Sequence, residues 1–146
     1  CQGRSVQESN PMYSFAHWSL PLAAFLPIFC AGLAKRGQFT VPASQGGYDN
    51  HEPRAWLARQ TGSRARANAA QANSFEALPF YLAAMLWALS QQVPMPVLDL
   101  LAGAWIASRC AYIACYWHDL STWRSIVWLV AQLLSLAVFT SPLWGR

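Results

Sequence analysis

Charged and strongly polar side chains occur at helical spacing inside the most apolar stretches of this chain. Arg66, Asn73 and Glu76 are separated by seven and three residues, so a helix places them on one face. Two further sets share this property, namely Arg109 with Tyr112 and Tyr116, and Arg124 with Trp128 and Gln132, beside which lies Ser125. A charge inside a membrane costs at least about 3 kcal/mol unless it meets a partner or a watered cavity. Such residues therefore indicate a binding or catalytic site.

Three of these side chains are expected in one layer. Glu76, Arg109 and Gln132 each lie eight to ten residues from the charged end of their apolar segment, which is roughly 12 to 15 Å along a helix. The spacing predicts an ion pair between Glu76 and Arg109, with Gln132 and Asn73 nearby. Arg66, Tyr116, Arg124 and Ser125 are expected nearer the charged ends of these segments, at the cytoplasmic mouth of the site. Three arginines against one carboxylate favour an anionic or thiolate-bearing ligand.

The composition shows which elements must hold these residues. The 146 residues are 55% hydrophobic and only 11% charged, whereas a soluble domain has roughly 25% charged residues. A helix needs about 20 apolar residues to cross the hydrocarbon core, and four segments reach or can be extended to that length. The predicted spans are 13–35, 65–90, 96–117 and 122–144. The sequence thus predicts an all-α integral membrane four-helix bundle over residues 12–146, after an N-terminal extension of residues 1–11.

The distribution of cations predicts how the bundle is oriented. Of the ten Lys and Arg residues, six fall between the first two spans, at Lys35, Arg36, Arg54, Arg59, Arg64 and Arg66. Short loops rich in Lys and Arg remain in the cytoplasm, so the first loop is expected there and both termini outside. The net charge of +4 follows from this topology. The arginines do not alternate with aromatics along a basic stripe, so no nucleic-acid partner is expected, and no Cys/His spacing predicts a metal.

Packing alone is an alternative explanation for the polar residues. Polar contacts between membrane helices contribute about 0.6 to 2 kcal/mol without any ligand, and Tyr and Trp are common at membrane interfaces. Outside the spans, Asp49, Asn50 and Glu52 are expected to shape a turn or to cap the helix after Pro53. His118 and Asp119, in a tight turn, are expected to cap a helix end.

Three separated motifs occur together in this chain. They are RANAAQANSFEALPF, R-x-x-Y-x-x-x-Y from Arg109, and RS-x-x-W-x-x-x-Q from Arg124. With the loop segment YDNHEPRAWLARQTG, they resemble the MAPEG superfamily of membrane-associated proteins in eicosanoid and glutathione metabolism, in particular its small bacterial members. The similarity extends from about Met12 to the end of the chain. It implies a homotrimer, in a bacterial inner membrane, with glutathione bound between subunits on the cytoplasmic side.

The resemblance also implies roles for individual residues. Arg124 and Ser125 match the pair beside the sulfur, where a guanidinium or hydroxyl donor favours the thiolate over the thiol. The positions matching the glutathione-binding residues are Arg66, Asn73, Glu76, Arg109, Tyr112, Tyr116, Trp128 and Gln132. The implied function is a glutathione-dependent transferase or peroxidase that acts on small lipophilic electrophiles arriving through the membrane lipid.

A non-catalytic role is the alternative function. Family members that bind glutathione well commonly carry further arginines where this chain has Ala69 and Ala72. A chain without those cations could serve as a membrane scaffold that binds a lipid or joins a larger membrane complex.

Overall fold

A computed structural model describes residues 14–145, and the extension predicted for residues 1–11 lies outside them. The described part is helical and contains no strand, which confirms the all-α prediction. Five α-helices follow one another, with a short 3-10 turn at Ala43–Gln45 in the first loop. They are α1 (Phe15–Lys35), α2 (Pro53–Ala58), α3 (Gly62–Ser90), α4 (Met95–Trp117) and α5 (Ser121–Trp144).

Three of the long helices have the length and composition of membrane spans. These helices, α1, α4 and α5, contain 21, 23 and 24 residues and are apolar enough to cross a bilayer. Helix α3 is the longest, with 29 residues, but its first turns carry Ser63, Arg64 and Arg66. Those polar turns lower its average hydropathy. The chain is therefore an integral membrane protein.

The four long helices pack against one another around α3, which contacts α1, α4 and α5. A buried line of side chains joins all four. The Tyr81 hydroxyl of α3 donates to Ser19 Oγ of α1 at 2.6 Å, and its ring stacks on Trp105 of α4 with centroids 3.8 Å apart. Trp105 Nε1 in turn donates to Ser135 Oγ of α5 at 2.9 Å. This layer fixes the relative positions of the helices that carry the polar stripes.

Helix ends are closed by specific polar contacts. At the start of α1, the carboxylate of Asp99 accepts from the backbone N–H of Ala16 at 2.7 Å and also from the Ser14 hydroxyl. At the end of α4, Asp119 has a positive φ of 60°, and the next amide, of Leu120, donates to the Cys115 carbonyl at 2.9 Å. This pattern is a Schellman motif. It places Asp119 at a helix end, where the sequence predicts it.

The loop between α1 and α3 is folded rather than extended. The Trp56 side chain is buried and donates from Nε1 to the Gly46 carbonyl at 3.2 Å. A Cβ at Gly47 would lie 1.8 Å from the Val41 carbonyl oxygen, so this position requires glycine. Asp49 Oδ1 accepts from the His51 N–H at 2.8 Å. The predicted turn at Asp49 is therefore present before α2.

Candidate functional site

Two arginines and two tyrosines form a continuous stack at the end of α4 that adjoins the first loop. The Arg109 guanidinium lies over the Tyr112 ring, 4.3 Å from its centroid. Tyr112 meets Tyr116 edge to face at 5.1 Å, and the Arg124 guanidinium of α5 lies 4.6 Å from the Tyr116 centroid. Cation–π contacts of this kind strengthen when they are removed from water. The stack therefore holds two cations in fixed positions between α4 and α5.

Arg109 is completely buried, with 0% of its surface exposed. Its Nη2 donates to Asn73 Oδ1 at 3.1 Å and to Ser74 Oγ at 3.3 Å, both on α3. Within residues 14–145, its Nε and Nη1 atoms have no hydrogen-bond partner. An unpaired buried donor carries its full desolvation cost. The guanidinium is therefore only partly paired, and it contacts the cavity described below through Asn73 and Tyr112.

The predicted ion pair between Glu76 and Arg109 is wrong. Glu76 is exposed on the surface of the single chain, and its Oε2 accepts from Asn73 Nδ2 at 3.2 Å. Asn73 stands between the two charges because its amide offers an acceptor to the arginine and a donor to the carboxylate. The chain Arg109–Asn73–Glu76 therefore connects the buried cation with the protein surface.

A cavity of about 540 Å³ opens beside this stack. Its lining residues are Asn73 from α3, Tyr112 and Tyr116 from α4, and Arg124, Ser125, Trp128 and Leu129 from α5. Six of these were predicted as site residues from the sequence. The structure brings them together because α4 and α5, joined by a tight turn, present neighbouring faces at this level.

Four of the ten predicted site residues are not in the lining, namely Arg66, Glu76, Arg109 and Gln132. The Arg66 side chain turns toward the end of α4, where its Nε donates to the Tyr116 carbonyl at 2.8 Å and its Nη2 to the Trp117 carbonyl at 3.3 Å. Its Nη1 lies 3.8 Å from Asp119 Oδ2. A cation at the C-terminus of a helix satisfies carbonyls that lack partners. Within the single chain Arg66 therefore caps α4 instead of lining the cavity, and Gln132 is half-buried outside the cavity.

The two predicted catalytic residues differ in their contacts. Arg124 is half-buried and has no carboxylate within 4 Å in the part of the chain that the structure describes, since the ion pair found there joins Arg66 to Asp119. Ser125 is exposed, and its hydroxyl donates to the Ser121 carbonyl in a long bond of 3.3 Å. Arg124 can therefore meet an anion directly, whereas Ser125 must release a weak bond to donate.

Sequence reasoning missed two members of this region. Ser74 Oγ accepts a hydrogen bond from Arg109, and the Ser74 hydroxyl donates to the Ala70 carbonyl at 2.8 Å. The signal is a hydroxyl directly after Asn73, in a segment that also carries Gln71 and Glu76. Leu129 supplies an apolar part of the cavity wall and has no distinguishing signal, because α5 contains many exposed leucines.

The arrangement is a cationic, half-open pocket within a membrane protein. It can bind a small anion, orient it against aromatic rings and stabilise a thiolate or a similar developing negative charge. Within residues 14–145 no group of His, Cys, Asp or Glu side chains is arranged to hold a metal ion.

The family comparison agrees with this class of site. The model of the MAPEG family matches residues 15–144, so the chain belongs to the MAPEG family. The matched range spans all four long helices and therefore every residue of the cavity lining. Comparison with curated proteins and comparison with solved structures each gave no match.

Proposed function

We propose that this protein is a glutathione-dependent membrane enzyme of the transferase or peroxidase type that acts on lipophilic electrophiles. The observation that carries the proposal is the cavity beside the Arg109–Tyr112–Tyr116–Arg124 stack. Its volume of about 540 Å³ lies within the range of roughly 300 to 1,000 Å³ common for small-molecule sites. Membership of the MAPEG family supports a glutathione-related role.

Arg124 is proposed to stabilise the reacting sulfur. A thiol has an ordinary pKa of about 8.5, and an adjacent guanidinium favours its thiolate, which is the nucleophile. Arg124 points along the cavity from the Tyr116 ring, so a thiol placed beside Ser125 and Trp128 meets this charge. The carbon chain of an electrophile can approach along α5, where Leu129 is 52% exposed.

The proposed assembly is a homotrimer in which α3 is a fourth membrane span. Helix α3 is long enough to cross, with 29 residues, and it lies against three apolar helices. In a single chain, Glu76 would expose a carboxylate at the depth of the lipid, which is costly. A neighbouring subunit that covers this face would remove the cost and would close the open side of the cavity.

Binding of glutathione to the purified protein in nanodiscs tests the proposal. Calorimetry should detect saturable binding, and an ultraviolet difference spectrum should show thiolate formed on the protein. Arg124→Gln keeps a polar side chain of similar length but removes the charge, so the thiolate signal should fall by at least tenfold. Arg54→Gln is the matched control, because Arg54 is exposed in α2 and does not line the cavity.

A non-catalytic membrane subunit is the second candidate. It is favoured by the α3 wall of the cavity, which consists of Asn73 alone, because Ala69 and Ala72 supply no cation. If folded protein shows no glutathione binding at millimolar concentration, the enzyme proposal is wrong and the scaffold role takes its place. Equal thiolate signals in the Arg124→Gln and wild-type proteins would also contradict the assignment of Arg124.

A further inference from the structure

Two further cavities lie side by side between the ends of α1 and α4. They measure about 530 and 270 Å³, and the residues common to both linings are Leu33, Arg36 and Trp117. Neither shares a lining residue with the cavity beside Arg124. The two therefore form one composite groove, separate from the proposed glutathione site.

The smaller cavity is an apolar channel along the helices. Phe29 of α1 and Cys110, Ile113 and Ala114 of α4 line it, and it reaches His118 just past the end of α4. Cys110 and His118 are eight positions apart, which corresponds to roughly 12 Å along a helix. Because α1 and α4 are both membrane-spanning in length and composition, this channel lies at the depth of lipid acyl chains.

The larger cavity is polar and positively charged. Arg36 and Arg64 line it together with Thr61 and Ser63, and the combined lining of the two cavities contains no Asp or Glu. In the described residues the ion pair present joins Arg66 to Asp119, so no carboxylate neutralises Arg36 or Arg64. Two arginines side by side without a counter-ion favour binding of an anion such as a phosphate.

The position of these cations matches the membrane surface. Arg36 directly follows Lys35, the last residue of α1, and His118 directly follows Trp117, the last residue of α4. The polar cavity therefore lies at the level of lipid head groups, and the apolar channel extends from it into the hydrocarbon. Basic pockets between membrane helices are suited to anionic lipid head groups.

We propose that this groove binds an anionic phospholipid. Its phosphate meets Arg36 and Arg64 in the larger cavity, and one acyl chain lies in the channel past Phe29 and Cys110. The joined apolar channel distinguishes a phospholipid from a free phosphate, because a soluble anion would gain nothing from it. The lining of this groove has no residue in common with the cavity proposed for glutathione.

Lipid retention by the purified protein tests the proposal. Native mass spectrometry after extraction from nanodiscs of equal phosphatidylglycerol and phosphatidylcholine should show preferential retention of phosphatidylglycerol. Arg36→Gln and Arg64→Gln should each weaken this preference about fivefold. Arg54→Gln removes the same charge from an exposed position in α2 outside both cavities, and it should retain the wild-type preference.

Three outcomes would overturn the proposal. One is equal retention of the two lipids by the wild-type protein. Another is the same loss of preference in Arg54→Gln as in Arg36→Gln, which would indicate a diffuse surface charge. The third is complete displacement of the lipid by millimolar inorganic phosphate, which would assign the cations to a soluble anion.

Ala114→Trp, at an exposed position in the channel, should reduce retention without changing any charge.

Discussion

At the scale of single residues, Arg109 is a buried cation that the fold pairs only in part. It is fully buried, yet its Nε and Nη1 atoms lack partners within residues 14–145. Packing alone would favour an apolar side chain of the same length, because an incompletely paired buried charge is costly. Its charge reaches the cavity only through its contacts with Asn73 and Tyr112, which both line the cavity.

Replacement of Arg109 by methionine should separate these two effects. Arg109→Met keeps a long, flexible side chain and removes the unpaired donors, so the ligand-free protein should unfold at the same temperature or slightly higher. Asn73 and Ser74 lose one donor each, but Ser74 keeps its bond to Ala70 and Asn73 faces the cavity. Thermal unfolding with and without glutathione measures both effects.

The same experiment can contradict a role of Arg109 in glutathione binding. The stabilisation that glutathione gives the wild-type protein should disappear in Arg109→Met. A variant that is strongly destabilised without glutathione, yet is stabilised by it as much as the wild type, would show that Arg109 serves packing alone.

At the scale of elements, the end of α4 depends on a contact from α3. Arg66 donates to the last carbonyls of α4, while Asp119 closes the turn into α5. This contact fixes where Tyr116 and Arg124 meet, although Arg66 does not itself line the cavity. Arg66 is therefore a positioning residue.

Arg66→Gln should destabilise the protein by about 1 to 2 kcal/mol, because two charge-assisted bonds to carbonyls are lost at a partly exposed site. Reversible denaturation in mixed micelles measures this difference. Arg54→Gln, a change of the same kind in the exposed loop, should alter stability by less than about 0.5 kcal/mol. Equal stability of the Arg66→Gln and wild-type proteins would contradict the capping role.

The buried line from Ser19 to Ser135 makes a second prediction about elements. Tyr81→Phe removes one interhelical hydrogen bond and should cost about 0.6 kcal/mol, the average for such bonds in membranes. Trp105→Ala removes the stacked ring and its bond and leaves a cavity, so it should cost at least about 3 kcal/mol. Reversible denaturation of both variants compares their losses in the free energy of unfolding. A much larger loss in Trp105→Ala would show that packing contributes more than hydrogen bonding to this buried line. Comparable losses in the two variants would contradict this.

The sequence predicts the elements more accurately than the contacts between them. The segments at 65–90 and 96–117 correspond to α3 and α4 within three residues, because apolar length and helix-ending residues are local signals. The spacing also placed Asn73, Tyr112, Tyr116 and Arg124 in one region, which the cavity contains. It could not show that Asn73 separates Glu76 from Arg109, since periodicity defines a face but not the neighbour that the face meets.

At the scale of the whole molecule, the single chain exposes polar groups on a part of its surface that lipid would surround. Glu76 is exposed, as is Ala72 one turn before it, and Phe75 between them is 52% exposed. Lipid would cover Phe75 readily but not a carboxylate. A protein neighbour that offers polar groups at this depth resolves the conflict, and a closed homotrimer supplies the same neighbour to every subunit.

The proposed trimer predicts a specific cross-linking pattern. Ala72→Cys, in a background with Cys1→Ser and Cys110→Ser, should be cross-linked between subunits by a short bifunctional maleimide and should give a dimer band, because one cysteine per subunit can join only two chains. Leu100→Cys is the comparison. Leu100 is 74% exposed near the start of α4, far along the chain from the polar first turns of α3. This variant should give no cross-linked band. Mass measurement in mild detergent should then give the number of subunits, which is expected to be three chains per particle. A monomeric mass, together with equal cross-linking at both positions, would show that Glu76 faces lipid or water, and the cavity beside Arg124 would then have to function within one chain.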